Sequence, residues 1–148
     1  MLMRNCAGGI VFYQDNVLLL QNHKREWVFP KGIIRKGMLS KEVALARVKN
    51  EAGVDARILR TVGETSYEFY SMTRQRPVCN YVTWYLMQAD SKKCQIDTTQ
   101  DFLGGGFYPV DEALTKITYS QDRSLASLSL KMYTQLVDEG KLTLNLRK

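Results

Sequence analysis

Residues 30–54, with the sequence PKGIIRKGMLSKEVALARVKNEAGV, constrain the fold of this chain more than any other stretch. A Pro-Lys-Gly turn leads through a short polar loop into a segment whose apolar residues recur at helical spacing. The apolar stripe consists of Val43, Ala44, Val48 and either Ala46 or Leu45. Ser40 is a candidate N-cap and Gly53 a candidate stop. The pattern predicts an amphipathic helix over residues 40–52.

Short apolar or alternating stretches on both sides of this helix predict strands. They cover residues 6–13, 17–21, 27–29, 57–70, 78–87 and, more weakly, 102–108. The first two are expected to form a hairpin. Further helices are predicted over residues 111–116 and 121–139, the second with four apolar side chains facing inward and Gly140 as its stop. Those four are Leu125, Leu128, Met132 and Leu136. This order of elements predicts an α/β sandwich in a single domain over residues 1–148.

Two sequence features bear on how the strands are used. Aromatic residues alternate along the two central predicted strands and are expected to lie mostly in the core, with one or two at the mouth of a pocket. They are Tyr67, Phe69, Tyr81, Trp84 and Tyr85. The glycine run at residues 104–106 does not lead from a strand into a helix, as a phosphate-cradling loop does. It therefore predicts a flexible turn or bulge.

The composition indicates in which compartment the protein is expected and which kinds of partner it can bind. The three cysteines are an odd number without C-x-x-C spacing, which favours reduced thiols. No apolar run is long enough for a membrane span, and the N-terminus lacks the pattern of a signal peptide. A cytoplasmic protein without a membrane partner is expected. The net charge of +6 is compatible with a plain basic surface or with an anionic partner such as a nucleotide, a polyphosphate or RNA.

The spacing of the opening stretch resembles the signature box of the Nudix hydrolases, G-x5-E-x7-R-E-U-x-E-E-x-G-U, where U is aliphatic. From Gly32 the frame runs without a gap, and it is matched by Val48, Glu51, Gly53 and Val54. Segments elsewhere resemble the diadenosine tetraphosphate hydrolase branch: AGGIVF at 7–12, WVFPKG at 27–32, WYLM at 84–87 and DEAL at 111–114. The resemblance implies a Nudix fold, an α/β/α sandwich with a mixed central sheet.

The chain departs from this box where the family carries charge. Met38 stands at the first Glu, Ala46 at the Arg, Arg47 at the Glu after it, and Asn50 at the first Glu of the pair. The resemblance implies that the carboxylates of this helix face bind magnesium, so Glu51 is the one acid of that face that remains. Arg47 lies four residues before Glu51, which predicts an ion pair on one side of the helix.

Glu51 and Asp101 are the candidate residues for residual catalysis. The resemblance implies an extra catalytic carboxylate in the segment that holds Asp101, because members of the family often carry one there. Glu64 is a further candidate on a neighbouring strand. Glu51 is also the candidate metal ligand, with weak binding expected because magnesium prefers a near-octahedral shell of hard oxygen ligands.

Basic and aromatic residues are the candidates for ligand binding. Lys31, Arg35, Lys36 and Arg47 form either a solvated basic face or a set of direct phosphate contacts. The resemblance implies that a Tyr near the start of the last helix stacks on a base, and Tyr119 stands there.

We expect a Nudix-fold protein that binds nucleotides or polyphosphates, without a cofactor, and that has lost most magnesium-dependent hydrolysis. One alternative is an active pyrophosphohydrolase that uses Glu51 and Asp101 with magnesium. A second alternative is an RNA-binding or protein-interaction module. The ligand and the oligomeric state stay open.

Overall fold

The computed structural model describes residues 1–140, so residues 141–148 of the predicted domain lie outside it. The strands are β1 Leu2–Tyr13, β2 Asn16–Asn22, β3 Trp27–Val28, β4 Lys31–Ile33, β5 Ala56–Ser71, β6 Arg76–Ala89 and β7 Phe102–Pro109. The helices are α1 Ser40–Ala52, α2 Val110–Lys116 and α3 Ser120–Asp138. Each strand and helix expected from the sequence is present, and β4 is an additional short strand.

The strands form one mixed sheet with the order β3-β2-β1-β6-β5. β4 pairs antiparallel with β1, and β7 pairs antiparallel with β2. β1 and β6 run parallel, whereas β5 and β6 form a long antiparallel hairpin. The predicted hairpin of the first two strands is confirmed by the pairing of Phe12 with Val17.

The helices cover the two faces of this sheet. α1 buries Val43, Ala44 and Val48 against one face in a cluster that includes Met87. α2 and α3 cover the other face, where the ring of Tyr133 stacks on Phe12 at 4.7 Å between centroids. These two cores on opposite faces confirm the α/β/α sandwich.

The start of α1 differs from the sequence expectation. Leu39, with φ −90° and ψ 142°, is the N-cap, and Ser40 is already helical. The Ser40 hydroxyl is turned toward the sheet and accepts a hydrogen bond from the Tyr85 hydroxyl at 2.8 Å, so it does not cap the helix. Leu45, half-buried, packs on the core, whereas Ala46 is exposed. The stop at Gly53 is confirmed, with φ 67° and its N–H donating to the Lys49 carbonyl.

The prediction of a flexible turn or bulge at residues 104–106 is wrong. These glycines are paired residues of β7, and the register shift of this ladder lies just before them, at Leu103, which is skipped between the pairs Gln21–Gly104 and Asn22–Phe102. A Cβ on Gly105 would lie 2.3 Å from the Leu19 carbonyl oxygen. Glycine is therefore needed here because the two strands approach closely, not because the chain turns.

Two expectations about burial are wrong. Leu128 of α3 is 47% exposed, because the inward face of the helix runs through Leu125, Ser129, Tyr133 and Leu136. Trp84 and Tyr85 are buried as predicted, but three of the five aromatics are 37–40% exposed: Tyr67, Phe69 and Tyr81. These three lie on the β5–β6 hairpin, and alternation alone does not indicate which of its side chains are covered. Within residues 1–140 none of the helices has the length and apolar character needed to cross a bilayer.

Candidate functional site

A cleft of about 650 Å³ opens between the N-terminus of α3 and the ends of β1, β5 and β6. Its lining includes four residues expected from the sequence: Lys31, Glu51, Asp101 and Tyr119. The lining carboxylates outnumber the lining cations. The carboxylates are Glu26, Glu51, Glu68, Asp101 and Asp122, and the cations are Arg4, Lys24 and Lys31.

Glu51 projects from the last turn of α1 into this cleft. Arg47 Nη1 lies 3.6 Å from Glu51 Oε2, which confirms the predicted ion pair across one helical turn. The Glu51 side chain is 12% exposed and that of Arg47 39%. The other carboxylate oxygen, Glu51 Oε1, is buried and has no hydrogen-bond partner among the described residues.

Burial dominates the protonation of Glu51. Loss of hydration raises the pKa of its carboxyl to about 7, although the charges of Arg47 and Lys31 act to lower that pKa. Asp101 and Asp97 raise the pKa further through like-charge repulsion. Near pH 7 the Glu51 carboxyl is therefore ionised in some of the molecules and protonated in the others.

The path of the Arg47 side chain is set by a glycine. A Cβ on Gly32 would lie 2.1 Å from Arg47 Nε and 2.7 Å from its Cδ and Cγ. The stem of Arg47 thus packs directly on the Gly32 backbone at the start of the loop. This contact holds the guanidinium beside Glu51.

The structure separates the predicted acidic residues. Asp101 and Glu51 line the same cleft, as the alternative with residual catalysis requires. Glu64 is exposed on β5 and is not part of that lining. Asp97, which the sequence did not indicate, accepts hydrogen bonds from the backbone N–H and the hydroxyl of Thr99, and these lower the pKa of its carboxyl.

The structure also separates the predicted basic residues. Lys31 lines the cleft, and its charge acts to lower the pKa of Glu51, Glu26 and Asp122. Arg35 and Lys36 are exposed on the loop and are not part of the cleft lining. A phosphate-binding role for these two and for Arg47 stays a prediction.

Tyr119 stands at the cleft in a fixed position. Its hydroxyl donates a short hydrogen bond to Glu26 Oε2, and Asn22 Nδ2 donates to Glu26 Oε1 at 3.0 Å. The bond to Glu26 raises the pKa of the Tyr119 hydroxyl to about 12 and lowers that of the Glu26 carboxyl. Tyr119 is 48% exposed, so its side chain is accessible to a planar ligand.

Sequence reasoning missed a polar cluster at the far end of the cleft. Arg4 Nε donates to Asn80 Oδ1 at 2.9 Å, and Asn80 Nδ2 donates to the Tyr67 hydroxyl at 2.8 Å. The Arg4 guanidinium lies 5.4 Å from the Phe69 ring centroid, and Lys31 Nζ lies 5.5 Å from that of Tyr67. Extending the alternation of β1 back from Cys6 would have placed Arg4 on this face, but not opposite Asn80.

The sequence profile of the NUDIX domain matches residues 3–128. The chain belongs to the Nudix family. Among solved structures, an Ap4A hydrolase of C. elegans in a binary complex superposes with a TM-score of 0.72 at 17% identity, covering 89% of this chain and 98% of that one. The dihydroneopterin triphosphate pyrophosphohydrolase of E. coli gives a TM-score of 0.68 at 16% identity, covering 85% and 95%. At these identities the likeness establishes the fold.

A sequence relative is MutT4 of Mycobacterium tuberculosis, 26% identical over 118 residues. The match covers 80% of this chain and 46% of that protein, so the chain spans less than half the length of this relative.

The box helix contributes one carboxylate to the cleft lining, Glu51, as a side-chain ligand for a magnesium ion. Among residues 1–140, no three His, Cys, Asp or Glu side chains lie close enough together to hold a metal. Glu51 Oε1 is free to accept a ligand, but Arg47 is paired with the other oxygen. A metal in the cleft would have to take most of its oxygen ligands from water and from a bound substrate.

Proposed function

We propose that this Nudix-fold protein binds nucleoside polyphosphates in the cleft and that its magnesium-dependent hydrolysis is lost or strongly reduced. The observation that carries this proposal is the ion pair between Arg47 and Glu51, with a separation of 3.6 Å. It places a fixed positive charge beside the one acid that the box retains on this face.

Electrostatics supports the loss of metal binding. Two unit charges 4 Å apart interact by about 4 kcal/mol at an effective dielectric constant of 20, and the interaction is larger for a divalent ion. The Arg47 guanidinium therefore repels a cation brought to Glu51. Burial adds to this effect, because the raised pKa of Glu51 leaves its carboxyl partly protonated near pH 7.

The binding half of the proposal rests on Lys31 and Tyr119. No carboxylate lies within ion-pair distance of Lys31 among the described residues, so its ammonium group can meet a phosphate directly. A charge-assisted hydrogen bond of this kind contributes about 1.5 to 3 kcal/mol. Tyr119 supplies a half-exposed ring, held by Glu26, on which a base can stack.

The test is a titration of adenosine triphosphate against the protein in the presence of a metal chelator, paired with an assay of diadenosine tetraphosphate hydrolysis in magnesium. We expect saturable binding with chelator and turnover far slower than about 1 per second, an ordinary enzyme rate. Absence of nucleotide binding, or turnover at that rate or faster, contradicts the proposal.

A slow pyrophosphohydrolase is the second candidate, and the unpartnered Glu51 Oε1 favours it. This oxygen is available to a ligand, and Asp101 lines the same cleft. If Asp101 supports hydrolysis, Asp101→Asn should abolish the residual turnover and leave nucleotide binding with chelator intact. An equal effect of Asp101→Asn on binding and turnover argues against a catalytic role.

Three further expectations stay predictions. They are a role as an RNA-binding or protein-interaction module, a cytoplasmic location, and the absence of a required cofactor.

A further inference from the structure

The Arg4 side chain is held in place at the end of the cleft away from Tyr119. Its Nε donates to Asn80 Oδ1, and its guanidinium plane lies over the Phe69 ring. Asn80 is 4% exposed, and its amide nitrogen donates in turn to the Tyr67 hydroxyl; flipping the amide would set its NH2 group against the Arg4 Nε–H donor and lose that bond. Arg4 is therefore pre-organised before any ligand binds.

The hydrogen-bonding capacity of Arg4 is only partly used. Nε is bonded to Asn80, whereas the two terminal nitrogens have no hydrogen-bond or ion-pair partner among the described residues. A guanidinium with two free terminal nitrogens offers up to four N–H donors to an oxyanion.

Contacts between neighbouring residues order the cleft from one end to the other. Tyr119 is bonded to Glu26, whose carboxyl feels the charge of Lys31. Lys31 lies over the Tyr67 ring, and Tyr67 is linked through Asn80 to Arg4. Lys31 thus occupies the middle and Arg4 the far end.

The Arg4 end of the cleft is rich in positive charge, since Arg4 and Lys31 lie there and Arg47 is close by. The Cys6 thiol, buried on β1, feels the charges of Arg4, Lys31 and Arg47, which act to lower its pKa against the larger effect of burial. Of the lining carboxylates, Glu26 and Asp122 lie toward the N-terminus of α3, where Tyr119 stands, whereas Glu68 lies between Tyr67 and Phe69 on β5. The cations Lys31 and Arg4 are therefore the groups at this end that can attract an anionic chain, against the charge of Glu68.

We propose that Arg4 is a phosphate ligand that binds the phosphate groups farthest from the base, with Lys31 on the nearer ones. Asn80 and Phe69 position Arg4 for this contact. The ligand class is then a nucleoside carrying two or more phosphates, bound without a metal ion. This inference rests on the proposed function.

The test compares adenosine tri-, di- and monophosphate as ligands, with chelator present, for wild type and Arg4→Gln. Arg4→Gln should weaken triphosphate binding by about tenfold or more, the loss of one charge-assisted contact. Monophosphate binding should change by less than about twofold, because that ligand does not reach Arg4.

The matched control is Arg57→Gln, which removes the same charge from exposed β5. Arg57 also bonds an amide side chain, with Nη2 donating to Gln88 Oε1 at 2.6 Å, but it does not line the cleft. It should leave the binding of all three nucleotides unchanged. Arg4→Lys keeps the charge and tests the contact should Arg4→Gln fail to fold; it should bind the triphosphate more weakly than wild type because it loses the bond to Asn80.

Three results would overturn the assignment while leaving the proposed function standing. They are triphosphate binding by both folded Arg4 variants that equals wild type, an equal loss for mono- and triphosphate, and an equal loss in Arg57→Gln. If wild type binds none of the three nucleotides, the proposed function itself fails and the role of Arg4 fails with it.

Discussion

The two carboxylate oxygens of Glu51 have different surroundings. Oε2 is paired with Arg47, and Oε1 is buried without a partner among the described residues. The attraction of Arg47 does not offset the loss of hydration, so the pKa of the carboxyl rises from 4.5 to about 7. This side chain therefore costs stability when it is ionised.

The pH dependence of stability follows from the direction of this shift. Because the folded protein binds the Glu51 proton more tightly than the unfolded chain, the contribution of Glu51 to stability is fully present below about pH 4.5 and is lost as the pH rises through about 7. Glu51→Gln removes the charge. We expect the variant to exceed wild type in free energy of unfolding by about 3 kcal/mol at pH 8, and by little near pH 4.5.

Chemical denaturation at pH 4.5, 6 and 8 measures this difference. Glu42→Gln, which removes an exposed carboxylate from the same helix, is the control for the substitution itself. A Glu51→Gln advantage that does not grow with pH would contradict the shifted pKa.

At the scale of one element, α1 keeps its fold although its box has changed. Met38 is 44% exposed, and Ala46 and Asn50 are exposed as well. Arg47 packs on Gly32, and the helix still ends at Gly53 in the left-handed conformation. The changed positions therefore lie on the surface of an intact helix and loop, where charged side chains can be restored without burial.

Restoring the box should restore metal binding. In the fourfold variant, Arg47→Glu and Asn50→Glu return two acids to the helix face of Glu51 and remove the guanidinium, while Met38→Glu and Ala46→Arg restore the loop Glu and the helix Arg of the family pattern. We expect calorimetry to detect magnesium or manganese binding in this variant and little in wild type. A folded variant without metal binding would place the loss of the site beyond the box, and Arg47→Glu alone tests how much the guanidinium contributes.

At the scale of the whole molecule, net charge and cleft charge differ in sign. The chain carries +6, yet the cleft lining contains more carboxylates than cations. The long-range field attracts a polyphosphate, and the local cations Lys31 and Arg4 determine where it binds.

Salt should therefore weaken nucleotide binding. With chelator present, raising sodium chloride from about 0.05 M to about 0.5 M shortens the screening length to a few ångströms and should lower adenosine triphosphate affinity several-fold. Adenosine, which has no charge, is the matched ligand control. Triphosphate affinity that is constant or rises with salt would exclude binding by direct ionic contacts.

Features that depend on near neighbours along the chain could be predicted from the sequence. The helical spacing of apolar residues predicted α1, and Gly53 predicted its C-terminal end. The spacing of the box residues indicated the Nudix family. The ion pair of Arg47 with Glu51 was predictable because residues four apart share one side of a helix. Gly105, by contrast, was predicted to lie in a turn or bulge. The reason for glycine at this position is the close approach of Leu19, a residue of another strand, which the sequence does not reveal.

The tertiary structure decided which distant residues share the cleft. Arg4 meets Asn80 because β1 and β6 pair in parallel register, and Tyr119 meets Glu26 because the N-terminus of α3 packs beside the β2–β3 turn. The packing of the helices on the sheet likewise leaves Tyr67, Phe69 and Tyr81 of the β5–β6 hairpin exposed. Local periodicity fixes the face of a strand on which a side chain lies. Only the register between strands and the packing of helices on the sheet fix what stands opposite it.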